Sequence, residues 1–103
     1  MSRQSTGYSR LAITADESKP DSDSPKVQPM GFGEVAWYLA ADTEARTCTI
    51  VPWYLRDGEW HKGTSAAVTG STVVMGYTLG RDCAVTLEDV VGTWTVGAEL
   101  VSP

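Results

Sequence analysis

The feature that most constrains the fold is a repeated alternation of apolar with polar or small side chains after residue 33. Val35, Trp37 and Leu39 follow this pattern, and Trp94–Leu100 follows it again near the other end of the chain. Such alternation is typical of strands that bury one face. Turn-forming residues recur about every ten positions, so we expect roughly six to eight short strands between residues 34 and 103. The sequence therefore predicts an all-β fold, a small antiparallel β-sandwich or barrel.

One of these runs has the pattern of a β-hairpin. Arg46–Leu55 is rich in β-branched and aromatic residues, and Asp57-Gly58 separates it from the return strand that begins at Trp60. Asp-Gly between two such runs is a strong hairpin signal. Pro52 has no N–H to donate, so we expect its strand to lie at a sheet edge or to be bulged there. The remaining predicted strands are Ala66–Thr69, Thr72–Leu79 and Cys83–Leu87.

The first 33 residues differ from the rest in composition. Ala15–Pro29 consists mainly of Asp, Ser, Lys and Pro, which bury too little apolar surface to offset the entropy lost on ordering. We therefore divide the chain into an extended N-terminal arm, residues 1–33, and a β-sandwich domain, residues 34–103. We expect other chains to hold the arm, with Leu11 and Ile13 adding a strand to a neighbour's sheet. The predicted partner-binding residues of the arm are Tyr8, Arg10, Leu11, Ile13 and Phe32.

A domain of this size buries a modest fraction of its surface, so its expected stability is marginal. Oligomerisation is a common remedy, and the arm offers a means. We therefore expect a homo-oligomer, with a trimer as the expected form, and we expect removal of residues 1–33 to leave the domain folded.

Charge and hydropathy exclude several classes of protein. The formal net charge is −5 and the pI is near 4.6, whereas nucleic-acid-binding proteins carry a basic face. No apolar run approaches the roughly 20 residues of a membrane-spanning helix. The first residues have no continuous apolar core of the signal-peptide type. We therefore expect neither nucleic acid nor membrane as a partner, and no signal peptide.

The chain offers few groups for catalysis or metal binding. His61 is the only histidine, and it is expected to be exposed next to Trp60 in the hairpin. Cys48 and Cys83 occupy apolar strand positions, as buried thiols do, although a disulfide between facing strands stays open. The acidic pairs Glu88-Asp89 and Asp57/Glu59 do not have the spacing of a calcium loop. We therefore predict no catalytic residues, no cofactor and no metal site.

The tryptophans are the most informative side chains. Trp37 and Trp94 lie in alternating strands and are expected in the core. Trp53 and Trp60 flank the Asp-Gly turn and are in position to pair across the hairpin. Together with Tyr54 they are candidate interface aromatics, for a protein partner or for stacking on sugar rings. Burial in the core is the third possibility for Trp53 and Trp60.

The order of these segments carries a resemblance. A strand at Glu34–Ala41 is followed by TCTIVPWYLRDGEWHKG (residues 47–63), a run that ends in Gly80-Arg81, and GTWTVGAELVS (residues 92–102). This order resembles small β-sandwich virion proteins of tailed bacteriophages. The family includes head decoration (cement) proteins, neck or tail accessory proteins and fibre modules.

The resemblance implies a function in binding rather than in catalysis. It implies a capsid decoration protein on the outer surface of the virion, made in the cytoplasm of the host bacterium. Its partner would be the major capsid protein or another virion protein. The alternatives are a phage neck or tail adaptor, a fibre component, or a carbohydrate- or receptor-binding β-module.

Overall fold

The computed structural model is built from β-strands and describes residues 3–4, 10–28 and 33–101, with side chains from residue 12 onward in these ranges. Within them there is no helix. The ten strands, in chain order, are β1 (Arg3–Gln4), β2 (Arg10–Ile13), β3 (Lys26–Val27), β4 (Glu34–Ala41), β5 (Thr47–Arg56), β6 (Glu59–Lys62), β7 (Ala66–Thr69), β8 (Thr72–Tyr77), β9 (Cys83–Glu88) and β10 (Trp94–Val101).

The strands form two antiparallel five-stranded sheets that pack as a sandwich. The first sheet has the order β1-β10-β4-β8, and β2 pairs with β10 beside β1. The second has the order β3-β9-β5-β6, and β7 pairs with the first half of β5. The prediction of an all-β antiparallel fold is confirmed. Seven of the described strands lie after residue 33, within the expected number.

The core lies between the two sheets. In β10 the side chains alternate strictly, with Trp94, Val96, Ala98 and Leu100 buried and their neighbours half-buried. The same alternation turns Trp37 of β4 inward, so both predicted core tryptophans are buried. The buried core cluster consists of Ile13, Val27, Val35, Trp37, Leu39, Cys48, Ile50, Val68, Cys83, Val85, Leu87, Trp94, Val96, Ala98 and Leu100.

The hairpin between β5 and β6 turns at Asp57-Gly58, as predicted. Arg56 pairs with Glu59, and the two residues between them have φ angles of 54° and 78°. Two successive positive φ angles define a type I′ turn, whose twist matches that of the flanking strands. Asp and Gly suit this turn because Asp tolerates the left-handed region and Gly has no Cβ.

Pro52 lies inside β5, where both neighbours of the strand are occupied. The carbonyl of Pro52 accepts a hydrogen bond of 2.7 Å from the N–H of Gly63. The backbone nitrogen of Pro52, which carries no hydrogen, points to the same side of β5 as this carbonyl. On that side β6 ends at Lys62 and β7 begins at Ala66. Three residues, 63–65, therefore stand opposite two of β5. The irregularity lies between the two partner strands, whereas the expectation placed an edge or a bulge in the strand of Pro52 itself, which is internal and continuous.

The described part of the first 33 residues is built into this sandwich. Lys26 and Val27 pair with the edge of β9, and the carbonyl of Pro25 accepts a hydrogen bond from Val85 N–H. Farther back, the N–H of Glu17 donates to the carbonyl of Leu87. This polar segment is therefore ordered mainly through backbone hydrogen bonds to the open edge of β9, which its side-chain composition does not reveal.

The strand predicted around Leu11 and Ile13 exists, but it pairs within the chain. β2 is antiparallel to β10, with Ile13 opposite Trp94, and Ile13 is 1% exposed. The prediction that Ile13 binds a partner is wrong for this structure, because the side chain closes the chain's own core. Arg10 and Leu11 are described only as backbone of β2, and Tyr8 and Phe32 lie outside the described residues.

Asp16 ties the N-terminal segment to the turn after β9. Its carboxylate oxygens accept hydrogen bonds from the N–H groups of Val90 (2.9 Å) and Asp89 (3.0 Å). These bonds, that from Val90 first, hold the pKa of Asp16 below its ordinary value of 3.8.

The lowered pKa predicts a pH-dependent contribution to stability. A carboxyl whose pKa is lower in the folded state stabilises the fold above its unfolded pKa, and this contribution is lost as the pH falls through the folded pKa. Asp16→Asn is therefore expected to be less stable than the native chain at neutral pH. The difference is expected to shrink as the pH falls below about 4. Urea unfolding at a series of pH values measures it, with the exposed Asp23→Asn as the control. A difference that does not change with pH would contradict this assignment.

Candidate functional site

Trp53 is buried on the outer face of the second sheet. Its side chain is 8% exposed, and its indole Nε1–H donates a hydrogen bond of 2.8 Å to Thr86 Oγ1 on β9. The ammonium group of Lys62 lies 5.6 Å from the ring centroid, and it also lies 3.5 Å from Glu88 Oε2. Lys62 therefore covers the ring through a cation–π contact. Trp53 stabilises the sheet and offers little surface to a ligand.

The three candidate interface aromatics do not form one platform. Tyr54 follows Trp53 in β5 and so points to the opposite face, where it packs against the core. Trp60 is half-buried and stands opposite Leu55, whereas Trp53 stands opposite Lys62. The expected direct pairing of Trp53 with Trp60 is therefore wrong by two residues of the hairpin register.

Both cysteines are free, buried thiols. Burial raises the pKa of Cys48 to about 11, and burial together with Asp82 raises the pKa of Cys83 to about 12. A thiolate is the reactive form, so these thiols are inert at neutral pH. The thiol of Cys83 donates to the carbonyl of Arg81 at 3.2 Å, as a small structural donor does.

Four of the six large apolar side chains that are exposed in the described residues lie on and beside β8. Val73, Met75 and Tyr77 point outward from this edge strand, and Leu79 follows in the next turn. Their exposed fractions run from 48% to 69%. We call these four residues the β8 surface. Exposed apolar side chains in one contiguous row mark protein-interaction sites more often than isolated ones do.

The β8 surface lies in an uncharged stretch of the chain. Between Lys62 and Arg81 there is no Asp, Glu, Lys, Arg or His. Across the sheet, Tyr38 is opposite Val73, and the phenol of Tyr38 donates a hydrogen bond of 2.8 Å to Glu99 Oε1. The apolar row is thus bordered by polar groups on β4 and β10, and its other side is the edge of the sheet.

A cleft of about 450 Å³ opens between the two sheets beside β8. Trp37, Ile50 and Tyr54 contribute to its apolar wall, and Gly76 of β8 and the Gly63–Ser65 break contribute to its rim. Its lining residues are uncharged, and burial, with a smaller contribution from Cys83, raises the pKa of Tyr54. The site is therefore an apolar strip of β-sheet next to an apolar cleft.

The sequence predicted the strand at Thr72–Leu79 but not its exposure. Apolar side chains on both faces of a strand normally indicate burial on both sides. In β8 the inward face contains Val74 and Gly76, while the outward face contains the β8 surface. The absence of charge between Lys62 and Arg81 is the sequence signal that distinguishes this stretch from the other exposed strands.

Other kinds of site find no support among the described residues. His61 is exposed on β6, as expected. No group of three metal-ligating side chains occurs in the described ranges. The described residues also include no helix that is long and apolar enough to cross a membrane.

Comparison with protein families, with curated protein sequences and with solved structures finds no match to this chain. The fold therefore defines the class of protein, a small antiparallel β-sandwich. Its function is inferred from the β8 surface and the cleft beside it.

Proposed function

We propose that this chain is a structural protein of a virus particle, a capsid decoration protein that binds the outside of a tailed-phage head through its β8 surface. The observation that carries the proposal is the uncharged edge strand whose outward side chains are about half exposed or more. Natural sandwiches protect such edges with charged residues, with proline or with a covering partner. The first two are missing from β8, so this edge is suited to being covered by a partner protein.

Binding to a shell follows from burial of this strip. A fully buried side chain of this kind contributes about 1.5–3 kcal/mol, and the four residues of the β8 surface start partly buried, so one contact is weak. A shell binds many copies, and repeated or linked contacts strengthen attachment without any new type of interaction. An apolar side chain of the shell protein that enters the cleft at Gly76 would add specificity to each contact.

The charge distribution favours the outside of the particle. Residues 34–103 contain nine acidic and four basic side chains, 4 − 9 = −5, which is the whole net charge of the chain. Packaged DNA repels an acidic protein and attracts a basic one. Because the described N-terminal residues fold onto the sandwich, the contact role that the sequence assigned to the arm passes to the β8 surface.

A phage neck or tail adaptor, or a fibre component, would use the same surface at a different symmetry. The carbohydrate-binding alternative has less support, because Trp53 is nearly buried and Tyr54 points to the other face of the sheet. Copy number distinguishes a decoration protein from a neck, tail or fibre component, since the copy number of a shell-bound protein scales with the number of shell subunits.

The proposal is tested on particles purified from the organism that encodes the chain. Quantitative mass spectrometry is expected to find the chain in these particles at a copy number that scales with the major shell protein. Particles stripped of the chain are then mixed with the purified protein. The native chain and Val91→Lys, a change at an exposed site away from β8, are expected to rebind, whereas Tyr77→Lys is expected to lose binding. Particles without the chain, or equal rebinding by both variants, would contradict the proposal.

A further inference from the structure

The free edge of β8 presents a regular set of backbone groups. The N–H of Thr78 donates a hydrogen bond of 3.0 Å to the carbonyl of Gly33, which continues the pairing of β8 with β4. In an antiparallel pair, alternate residues direct their N–H and C=O groups to the same neighbour. Thr78, Gly76 and Val74 therefore bond to β4.

The residues between them direct their backbone groups away from β4. Val73, Met75 and Tyr77 each present one N–H and one C=O at this edge, and none of these groups bonds to another residue of the described chain. The same three residues carry the outward side chains of the β8 surface. Backbone and side chains of this edge are therefore both open to one partner strand.

We propose that β8 pairs with β8 of a second copy of this chain, antiparallel about a two-fold axis through Met75. In this register Met75 stands opposite its own copy and Val73 stands opposite Tyr77 of the other copy. Each of the three residues donates one hydrogen bond and accepts one. The two strands therefore form six hydrogen bonds, three of them donated by each strand. A two-fold contact uses the same surface on both copies and closes at two.

The side chains agree with this register. Only residues that face the free edge can pair, so the outward face of one copy continues into the outward face of the other. Val73 and Tyr77 then form a β-branched–aromatic cross-strand pair on each side of the axis. No charged side chain lies on β8, so no like charges meet at the two-fold axis. Most heteromeric partners would need their own strand of matching pattern, whereas a second copy supplies it by symmetry.

Two other described edges, those of β6 and β3, are protected, and the edge strand β7 is only four residues long. β6 carries Glu59, His61 and Lys62, and the break at Gly63 interrupts that edge before β7. β3 is two residues long and follows Pro25. Charges, short length and irregularity all oppose edge-to-edge pairing. β8 is the longest edge strand of the described chain without such protection.

Pairing of two β8 strands would also strengthen binding to a shell, and this consequence rests on the proposed function. It joins the first sheets of two copies and places both β8 surfaces on one face of the combined sheet. The apolar strip offered to a shell is thereby doubled. The inference also replaces the trimer expected from the sequence with a two-fold pair.

The test is the solution mass of the full chain by light scattering over a range of concentrations. The native chain is expected at 22.2 kDa, twice the 11.1 kDa of one copy. Met75→Pro removes an N–H that faces the free edge and leaves the bonds to β4 intact, so its mass is expected to fall to 11.1 kDa. Ala67→Pro is the matched control. It lies on the exposed edge of β7 with its N–H directed away from β5, and it is expected to stay a dimer.

A second variant covers the case in which proline disturbs the fold. Met75→Lys places two like charges at the two-fold axis and is expected to give a folded monomer, while Val91→Lys, at a site of similar exposure, is expected to stay a dimer. A monomeric or trimeric native chain, or a folded Met75→Lys dimer, would overturn the pairing. A monomer that still occurs in particles would overturn only this inference, and a dimer absent from particles would overturn only the proposed function.

Discussion

Removal of residues 1–28 is expected to leave a chain that does not unfold cooperatively, because it does not reach the native fold. The deletion takes Ile13 and Val27 out of the core, where each is 1% exposed. Full burial of such side chains contributes about 1.5–3 kcal/mol each. It also opens the edges of β9 and β10, with their hydrogen bonds to Pro25 and to β2. The combined loss is comparable with the about 5–15 kcal/mol that stabilises a typical domain.

Denaturant unfolding followed by tryptophan fluorescence measures this effect. The full-length chain is expected to show one sigmoidal transition, and residues 29–103 alone are expected to show none. Lys19→Ala, an exposed change within the deleted segment, serves as the control and is expected to unfold like the native chain. A cooperative transition of native stability in the truncated chain would contradict this prediction and would support the separate arm that the composition predicts.

Replacement of Trp94 by alanine is expected to cost about 3–5 kcal/mol, the range for large aromatic side chains removed from a core. Trp94 is 0% exposed and packs between the sheets, and its indole Nε1–H donates to the carbonyl of Val91. It also stands opposite Ile13 on β2 and Ala41 on β4. The cavity left by the substitution would therefore lie where the N-terminal segment joins the first sheet.

Trp60→Ala provides the comparison within the same chain. Trp60 is half-buried on the short strand β6, so its loss is expected to reduce the free energy of unfolding far less. Equilibrium unfolding of both variants gives the two differences directly. Equal losses would contradict the placement of Trp94 at the centre of the core.

The strands after residue 33 could be predicted because each carries its own signal. Val35, Trp37 and Leu39 alternate with outward residues, and Asp57-Gly58 fits the one turn type that its hairpin needs. These are local relations between neighbouring residues, and sequence patterns report them well. Pro52 shows the limit of such a signal, since the pattern predicted a bulge or an edge in its own strand, and the irregularity lies instead in the partner segment at residues 63–65.

The N-terminal segment could not be placed in this way because its order comes from distant backbone groups. Lys26-Val27 is too short to show a period, and it becomes a strand because β9 offers an unpaired edge. Asp16 looks like one more charge in a polar linker, yet its carboxylate caps N–H groups more than seventy residues away. Such contacts depend on the finished sheet, so the composition alone favoured a free arm.

The candidate site also combines features that the sequence indicated with features that only the sheet topology determines. Three aromatics around the hairpin turn suggested a platform, but alternation along β5 sends Trp53 and Tyr54 to opposite faces, and Lys62 covers Trp53. The β8 surface was missed as a site because exposure depends on which strand ends the sheet. Strand order is set by pairing between distant segments, and no residue of β8 encodes it alone.

Amide hydrogen exchange along β8 tests most directly whether this strand is a docking edge. The N–H groups of Val74 and Gly76 bond to β4 and are expected to exchange slowly at every protein concentration. Those of Val73, Met75 and Tyr77 are expected to exchange slowly in concentrated solution and quickly on dilution, because a partner strand covers them only in the complex. If these three amides exchange quickly at every concentration and also with particles present, β8 is not an interface.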